Sequence, residues 1–354
     1  MTNEDIKYYL RPLGAVSRTE GHQLYKIDKA ICVSGIFFTQ IELISRKKRV
    51  LKNIYSIEDF LKILKKNKSL TDVFKNLTNK NIKLKNILCK KNEFSIFGIL
   101  NITPDSFSDG GENINLQRAI ASAEYMFNSG ADFVDVGGES TRPGAKKVEP
   151  KDEISRVIPV IQKLNNMKID ISLDTRNAST MELGILSGAN IINDVSGLKH
   201  DKKTVDVINK YKIPIIIMHM PGNPENMAKN NKYSDVLLDV YDFLEERIKY
   251  CINSGIGRTN IIVDPGIGFG KDSTQNFKLL QNISMFHSLG CPIMLGVSRK
   301  RFIKTISNED QPKKRLGGTI SATLLAMYQG VRVHRVHDVK EVNEAIKVFQ
   351  KIIN

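Results

Sequence analysis

Residues 94–111 read FSIFGILNITPDSFSDGG, an apolar run that stops at Asn101 and continues as a polar loop. A short apolar run followed by Pro, Asp and Gly indicates a buried strand that ends in a turn. Because side chains alternate along a strand, Phe97, Ile99 and Asn101 share one face. If that face points into a barrel, Asn101 lies at its mouth; on its own, the stretch is equally consistent with an ordinary β-turn.

The pattern recurs towards the C-terminus. Eight strand-like runs, spaced 20 to 45 residues apart, end at Asn101, Asp135, Asp174, Asp194, His219, Asp264, Val297 and Val336. Helical spacing follows between or after them at Leu116–Ser129, Ile154–Leu164, Asp235–Asn253, Phe277–Leu289, Thr319–Gln329 and Lys340–Ile353. Alternating strands and helices predict parallel pairing. Eight units in roughly 250 residues favour a (β/α)8 TIM barrel over a doubly wound sheet, so we expect an α/β fold with the barrel at residues 94–354.

Residues 1–93 differ in composition, and we expect a small basic α/β accessory segment there. The whole chain has a formal charge of +15, and residues 1–94 account for +11 of it, with 20 Lys and Arg against 9 Asp and Glu. The pattern predicts a strand pair at Ala30–Phe38 and Thr39–Ile44, and a helix around Ile57–Lys66. Without interleaved aromatic residues, the lysines predict a solvated surface rather than a nucleic-acid site.

Several function classes are disfavoured. The four cysteines lie far apart with no C-x-x-C, and the six histidines form no H-E-x-x-H, so neither a disulfide framework nor a structural zinc site is expected. No stretch approaches ~18 consecutive apolar residues, and the first residues contain no apolar signal segment. We therefore expect a cytoplasmic protein that does not span a membrane.

Polar residues at the predicted strand ends point to a ligand site. The second run leads into Gly137–Ala145, where Thr141 and Arg142 offer a hydroxyl and a planar cation suited to phosphate oxygens. Asp174 ends the third run, and Asn193 lies one residue before the end of the fourth. A carboxylate and an amide can together bind the donor and acceptor edge of a heterocycle, although either could instead cap the following helix.

The later strand ends add a glycine-rich loop and cations. The segment from Asp264 to Lys271 lacks both the P-loop and the dinucleotide-binding spacings, but Phe269 could lie flat against an aromatic ligand. Lys300 and Arg301 stand at the next strand end, where a helix begins. In the eighth run, Arg335 and His337 share one face, and His334 on the other face is expected between strand and helix. No nucleophile and base pair stands out, which disfavours a covalent mechanism.

These ordered motifs resemble the signatures of the dihydropteroate synthase family: Gly98–Gly111, Gly137–Ala145, Asp264–Lys271, Ser298–Phe302 and Arg335–Val339. The resemblance covers about three quarters of the chain. It implies a homodimeric TIM barrel that joins 6-hydroxymethyl-7,8-dihydropterin diphosphate to 4-aminobenzoate. The products would be 7,8-dihydropteroate, used in folate synthesis, and pyrophosphate. It also implies binding of sulfonamide inhibitors.

The resemblance further implies roles for individual residues. Pterin binding would fall to Asp174, Asn193, Asp264 and Lys300. Diphosphate binding would fall to Asn101, Thr141, Arg142, Arg335 and His337. Mg²⁺ would lie at Asn101, with Asp109 close by. The 4-aminobenzoate would contact Phe107, Thr141, Pro143, Phe269, Lys300 and Arg301, although some relatives have Ser at the position of Arg301. The catalytic set would be Asn101, Arg142, Lys300, Arg335 and His337.

Three alternatives stay open at this point. The barrel could belong to a pterin-binding paralogue that has lost turnover, although the cations and amides named above argue against that. It could belong to a pterin-dependent methyltransferase, which has no need for the loop Thr103–Gly111 or the cluster at Ser298–Lys300. The N-terminal segment could pack against the barrel as a structural appendage or bind a polyanion.

Overall fold

The computed structural model describes residues 6–79, 84, 87–89, 93–102, 112–141, 144–145 and 147–353. The N-terminal part forms an antiparallel sheet with three helices. Its elements are β1 (Lys7–Val16), α1 (Arg18–Tyr25), β2 (Ile31–Val33), β3 (Ile36–Arg46), β4 (Val50–Ser56), α2 (Ile57–Lys66) and α3 (Lys68–Leu77). β3 is central, with β1 on one side and both β2 and β4 on the other.

The rest of the chain alternates strands and helices around a barrel. The strands are β5 (Ser95–Asn101), β6 (Phe133–Gly137), β7 (Ile171–Asp174), β8 (Ile191–Asp194), β9 (Ile215–Met218), β10 (Ile261–Asp264), β11 (Met294–Leu295) and β12 (Val333–Val336). The helices are α4 (Glu112–Asn128), α5 (Pro150–Asn166), α6 (Ala178–Ser187), α7 (Thr204–Tyr211), α8 (Val236–Asn253), α9 (Ser273–Gln281), α10 (Arg301–Ser307), α11 (Leu316–Tyr328) and α12 (Val339–Ile353). Short 3-10 turns lie at Met227–Lys229, Arg258–Asn260, Ile283–Leu289 and Pro312–Lys314.

Parallel pairing runs from β10 through β9, β8, β7, β6, β5 and β12 to β11, and a bridge between Val263 and Ile293 joins the two ends. The predicted (β/α)8 barrel is therefore confirmed. Apolar side chains from successive strands fill the barrel near the strand starts: Phe97, Phe133, Ile191, Ile216, Ile262, Met294 and Val333. Leu84 and Leu88 pack against this layer, so these two side chains cover part of the N-terminal end of the barrel.

Ion pairs and a hydrogen bond attach the N-terminal sheet to α8. Lys7 Nζ lies 2.6 Å from Asp242 Oδ1 and 2.8 Å from Glu245 Oε2. The Tyr9 hydroxyl donates to Asp242 Oδ1 over 2.9 Å, and Arg46 Nη1 lies 3.0 Å from Asp239 Oδ1. Some of the basic excess of the N-terminal segment is therefore directed at the barrel rather than at solvent.

Local predictions were less accurate in the N-terminal part. The predicted strand break at 38 and 39 is wrong, because the chain turns at Ser34 and Gly35, both with positive φ, and β3 runs unbroken to Arg46. β1 was missed because Pro12 and Gly14 interrupt its pattern; an edge strand tolerates such residues. The helix at Ile57–Lys66 is confirmed.

In the barrel, the six predicted helices are present, but the one expected at Phe277–Leu289 ends at Gln281 and continues as a 3-10 turn. The short helices α6 and α7 were missed, whereas the helix start expected at Lys300 and Arg301 is present as α10. The seventh strand ends at Leu295, before the predicted Val297. His334 is fully buried, as expected. Among the described residues, no helix is both long and apolar enough to cross a membrane.

Candidate functional site

Strand register brings the polar strand ends into one row at the carboxyl end of the barrel. Asn101 pairs with Gly137, Gly137 with Asp174, and Asp174 with Asn193. A Cβ on Gly137 would lie 3.7 Å from both Asn101 Oδ1 and Asp174 Oδ2, so these two side chains flank the glycine on the same face of the sheet. The carboxyl end is where barrels of this kind carry their active sites.

The guanidinium of Arg335 joins two carboxylates in this row. Its Nε donates to Asp135 Oδ2 over 2.6 Å, and its Nη2 donates to Asp174 Oδ2 over 2.8 Å. Asp135 Oδ1 also accepts a hydrogen bond of 2.6 Å from the Ser172 hydroxyl, and Asn193 Nδ2 lies 3.5 Å from the same oxygen. Four strands thus contribute to one buried polar network.

Asp174 has an oxygen available for a ligand. Its Oδ1 is buried and has no hydrogen-bond partner among the residues that the structure describes. Burial raises the pKa of Asp174; the guanidinium of Arg335 opposes that rise, and the nearby charge of Asp135 adds to it. A buried acceptor without a partner destabilises the empty site, and a ligand N–H would remove that penalty.

Asp264 ends β10 beneath a tight glycine-rich loop. Its Oδ1 accepts the backbone N–H of Gly266 over 2.7 Å. Burial raises the pKa of Asp264, while that N–H and the cations Lys300 and Lys271 oppose the rise. Gly266 has a φ of +69°, and a Cβ there would lie 2.0 Å from the carbonyl oxygen of His219, so only glycine fits this close approach.

Lys271 anchors the same loop from inside. Its Nζ donates to the carbonyl oxygens of Gly266 and Phe269, each over 2.9 Å, and lies 2.9 Å from His219 Nδ1. Burial lowers the pKa of Lys271 to about 7, with Asp264 opposing the shift. Burial also lowers the pKa of His219 well below its usual value, so His219 is neutral and its Nδ1 can accept a hydrogen bond from Lys271 Nζ.

Lys300 and Phe269 face each other across the mouth. Lys300 Nζ lies 4.0 Å from the centre of the Phe269 ring, a cation–π contact. Lys300 immediately precedes α10, and Arg301 is exposed in its first turn. A cation and an aromatic face side by side can hold a flat ligand.

The eighth strand end is fastened to the loop before α10. His337 Nδ1 lies 3.0 Å from the Ser298 hydroxyl oxygen, which also accepts the backbone N–H of His337 over 3.2 Å. Arg299 pairs with Asp338 through two contacts, one of them 3.0 Å from Nε to Oδ2. These contacts hold Lys300 and His337 on neighbouring segments.

The loop after β6 is held by a buried ion pair. Both oxygens of Glu139 accept hydrogen bonds of 2.8 Å from Arg176, through Nε and Nη2. Thr141 is half-buried just beyond this pair. The predicted site residues Arg142, Pro143 and Phe107, and the nearby Asp109, lie outside the described residues.

A multidentate protein metal centre is not part of the described site. No cluster of three or more His, Cys, Asp or Glu side chains within the described ranges could hold a metal ion. Asn101 fits a different arrangement, because the residue is half-buried at the end of β5 and its amide oxygen lies beside Gly137. Mg²⁺ commonly takes one or two protein oxygens and completes its shell with water and substrate phosphates.

The sequence of the barrel matches known proteins. Residues 97–337 match the family described as "Pterin binding enzyme". The chain belongs to the pterin-binding enzyme family. Its Escherichia coli K12 relative, dihydropteroate synthase, is 40% identical over 260 residues, which is 73% of this chain and 92% of the relative.

Solved structures of this family agree with the fold. The Xanthomonas albilineans dihydropteroate synthase with 4-aminobenzoic acid superposes with a TM-score of 0.69 at 39% identity, covering 73% of this chain and 92% of that one. A Yersinia pestis dihydropteroate synthase with a sulfonamide drug complex has the same TM-score at 37% identity, covering 73% and 94%. Residues 1–96 lie outside the family match.

Sequence reasoning missed several residues that shape the site. Asp135 was recognised only as a strand end, and its contacts with Arg335 and Ser172 depend on partners 200 and 37 residues away. The pairing of Lys271 with His219 spans 52 residues. The one local signal was the placement of Asp135 and His219 at predicted strand ends, which was the same signal that identified Asp174 and Asp264.

Proposed function

We propose that this protein is a dihydropteroate synthase, which joins 6-hydroxymethyl-7,8-dihydropterin diphosphate to 4-aminobenzoate and releases pyrophosphate. The observation that carries this proposal is the buried Oδ1 of Asp174, which has no partner among the described residues. It lies in register with Asn193 and is bridged to Asp135 by Arg335. A carboxylate beside an amide suits the alternating N–H and carbonyl edge of a pterin.

The pterin ring binds between the strand ends and the glycine-rich loop. Asp174 and Asp264 accept ring N–H groups, Asn193 contributes donor and acceptor atoms, and Lys300 donates from the α10 side. The buried position of both carboxylates supports this assignment, because a hydrogen bond to a charged acceptor away from water is stronger and more selective.

The diphosphate binds at the mouth beside this ring. Arg335 and His337 provide donors from the eighth strand end, and Asn101, Thr141 and Arg142 provide them from the first two loops. Mg²⁺ held at Asn101 would neutralise charge on the departing pyrophosphate. Because Arg335 donates a hydrogen bond to Asp174, the same guanidinium can orient the carboxylate that binds the ring and contact the leaving group.

The 4-aminobenzoate binds at the outer rim of the site, farther from the barrel core than the pterin. Phe269 and Lys300 supply an aromatic face and a cation for its ring and carboxylate, and the exposed Arg301 adds a second cation. Phe107, Thr141 and Pro143 from the two loops complete this side. Sulfonamides, which resemble the arylamine, occupy the same place.

The reaction requires little proton transfer by protein side chains. An arylamine is largely unprotonated at neutral pH, so it attacks the pterin methylene carbon without a general base. The C–O bond to the diphosphate breaks, the new C–N bond forms, and the amine proton passes to solvent. The barrel residues contribute by stabilising the departing pyrophosphate and the cationic character of the pterin methylene, in a dissociative substitution.

One assay separates this function from its rivals. Pyrophosphate is measured with and without 4-aminobenzoate. A binding-only paralogue releases none, a methyltransferase does not use the arylamine, and the synthase couples release to arylamine consumption. We also propose a cytoplasmic homodimer, for which sedimentation of the purified chain is the test.

For the N-terminal segment, the ion pairs from Lys7 and Arg46 to α8 support a packing role over polyanion binding. The described contacts use these cations internally, which leaves them unsuited to neutralising a polyanion.

A further inference from the structure

A cavity of about 390 Å³ lies at the end of the barrel opposite the pterin site. Its walls come from four regions: the β2–β3 hairpin and α1, the end of α3, the described residues shortly before β5, and the segments that precede β11 and β12. Val333, the first residue of β12, lines it, whereas Arg335 and His337 lie towards the other end of that strand. The volume falls within the roughly 300–1,000 Å³ typical of small-molecule sites.

Two arginines, Arg18 and Arg332, line this cavity. Arg332 Nε donates to the Ser34 carbonyl oxygen over 2.8 Å. Within the part of the chain that the structure describes, Arg332 forms no ion pair, and residues 80–92 contain no Asp or Glu that could supply one. Glu93, which also lines the cavity, is engaged 3.1 Å from Arg18. Glu93 is thus the one carboxylate among the described residues that line the cavity, and its ion-pair partner is Arg18.

Gly35 packs closely against the Arg332 guanidinium. Gly35 has a φ of +80°, and a Cβ there would lie 3.1 Å from Arg332 Nη2. Burial lowers the pKa of Arg332, and the nearby charge of Glu93 opposes that shift. Arg332 lines the cavity, so an anion bound there can contact its guanidinium.

The remaining walls are mostly apolar. Phe37, Leu77, Leu88 and Val333 line the cavity, and Cys32 contributes a partly exposed thiol. His22 packs its ring 4.7 Å from the Phe37 ring centre. Such walls favour a flat apolar body over a phosphate or a sugar.

We propose that this cavity binds a small aromatic monocarboxylate, with the carboxylate on the Arg332 guanidinium and the ring against Phe37 and Val333. The guanidinium fork matches a carboxylate through paired N–H donors. This site is independent of the pterin site, because it uses the opposite end of the barrel and shares no residue with it.

The test uses the full-length protein and the reactivity of Cys32 towards N-ethylmaleimide, followed by peptide mass spectrometry. The probe is 1-naphthoate, and its uncharged analogue is 1-naphthamide. We expect naphthoate to slow alkylation of Cys32, with an apparent affinity about tenfold or more above that of naphthamide, since a charged hydrogen bond is at stake. Equal protection by both compounds, or protection by neither, would overturn the proposal.

Variants assign the effect to the arginine. Arg332→Gln should abolish the preference for naphthoate, whereas Arg332→Lys should retain part of it because the positive charge remains. The matched control is Arg118→Gln, which removes an exposed guanidinium on α4. In this variant, 1-naphthoate should protect Cys32 as it does in the parent protein. If 1-naphthoate protects Cys32 in Arg332→Gln as well as it does in the parent protein, the assigned anion site is wrong. The comparison of the two probes in the parent protein decides the question even if that variant does not fold.

Discussion

Arg335 Nη2 donates to Asp174 Oδ2 over 2.8 Å, so a residue expected to hold the diphosphate is bonded directly to one expected to hold the pterin. The same guanidinium reaches Asp135 on β6. With the roles proposed for these residues, binding of the ring and binding of the leaving group would be linked through one planar cation.

Removal of this cation should be costly. Arg335→Met leaves Asp135 and Asp174 buried without their shared partner, and loss of one member of a buried pair costs about 3–5 kcal/mol. We expect the free energy of unfolding in urea at pH 7 to fall by that order and turnover to be lost. Arg335→Lys keeps the charge but cannot bridge both carboxylates, so its free energy of unfolding should lie between those of the parent protein and of Arg335→Met. A Met variant as stable as the parent would contradict the network.

The free oxygen of Asp174 should contribute directly to pterin affinity. Asp174→Asn and Asp264→Asn should each weaken binding of 6-hydroxymethyl-7,8-dihydropterin by about 1.5–3 kcal/mol in calorimetry, since each loses a charged acceptor.

Asp194→Asn is the matched control for these variants. Asp194 is equally buried, but its oxygens already accept from Ser196 and from the Leu198 N–H. Its substitution should lower stability and leave pterin affinity unchanged. Weakened binding only in the Asp194 variant would remove Asp174 and Asp264 from the pocket.

Magnesium should act through Asn101. Asn101→Ala should lower turnover far more than stability, because a half-buried mouth residue contributes little to the core. Calorimetry gives a readout besides activity: pyrophosphate should bind the parent more tightly with Mg²⁺ than with EDTA, and this difference should shrink in the variant. Equal turnover with EDTA and with Mg²⁺ would exclude the metal requirement.

Stability should fall on the acid side through His334. Burial, together with the neighbouring Arg332 guanidinium, lowers the pKa of His334 to about 3. As the pH drops below the unfolded pKa of about 6.5, the unfolded chain takes up a proton that the folded chain does not. Between pH 7.5 and pH 5 this one residue should cost about 2 kcal/mol of stability. His334→Leu should show a correspondingly shallower decline in urea unfolding, and identical declines would refute the assignment.

The sequence predicted what local patterns determine. Asn101, Asp174 and Asp264 could be placed at the mouth because each ends an apolar run, and parallel strands bring such ends to one edge. The contacts of Asp135 with Arg335 and of Lys271 with His219 could not be predicted, because they depend on strand register and loop paths across the barrel. The hairpin at Ser34 and Gly35 was misplaced because the apolar run from Ile31 to Phe38 conceals a two-residue turn.

The most direct test of the central claim is product formation by the purified full-length chain. The protein is mixed with 6-hydroxymethyl-7,8-dihydropterin diphosphate, 4-aminobenzoate and Mg²⁺, and 7,8-dihydropteroate and pyrophosphate are quantified together by mass spectrometry and an enzymatic pyrophosphate assay. The account predicts that the two products appear in equal amounts, and that Asp174→Asn slows both. Tight pterin binding without any dihydropteroate would contradict it.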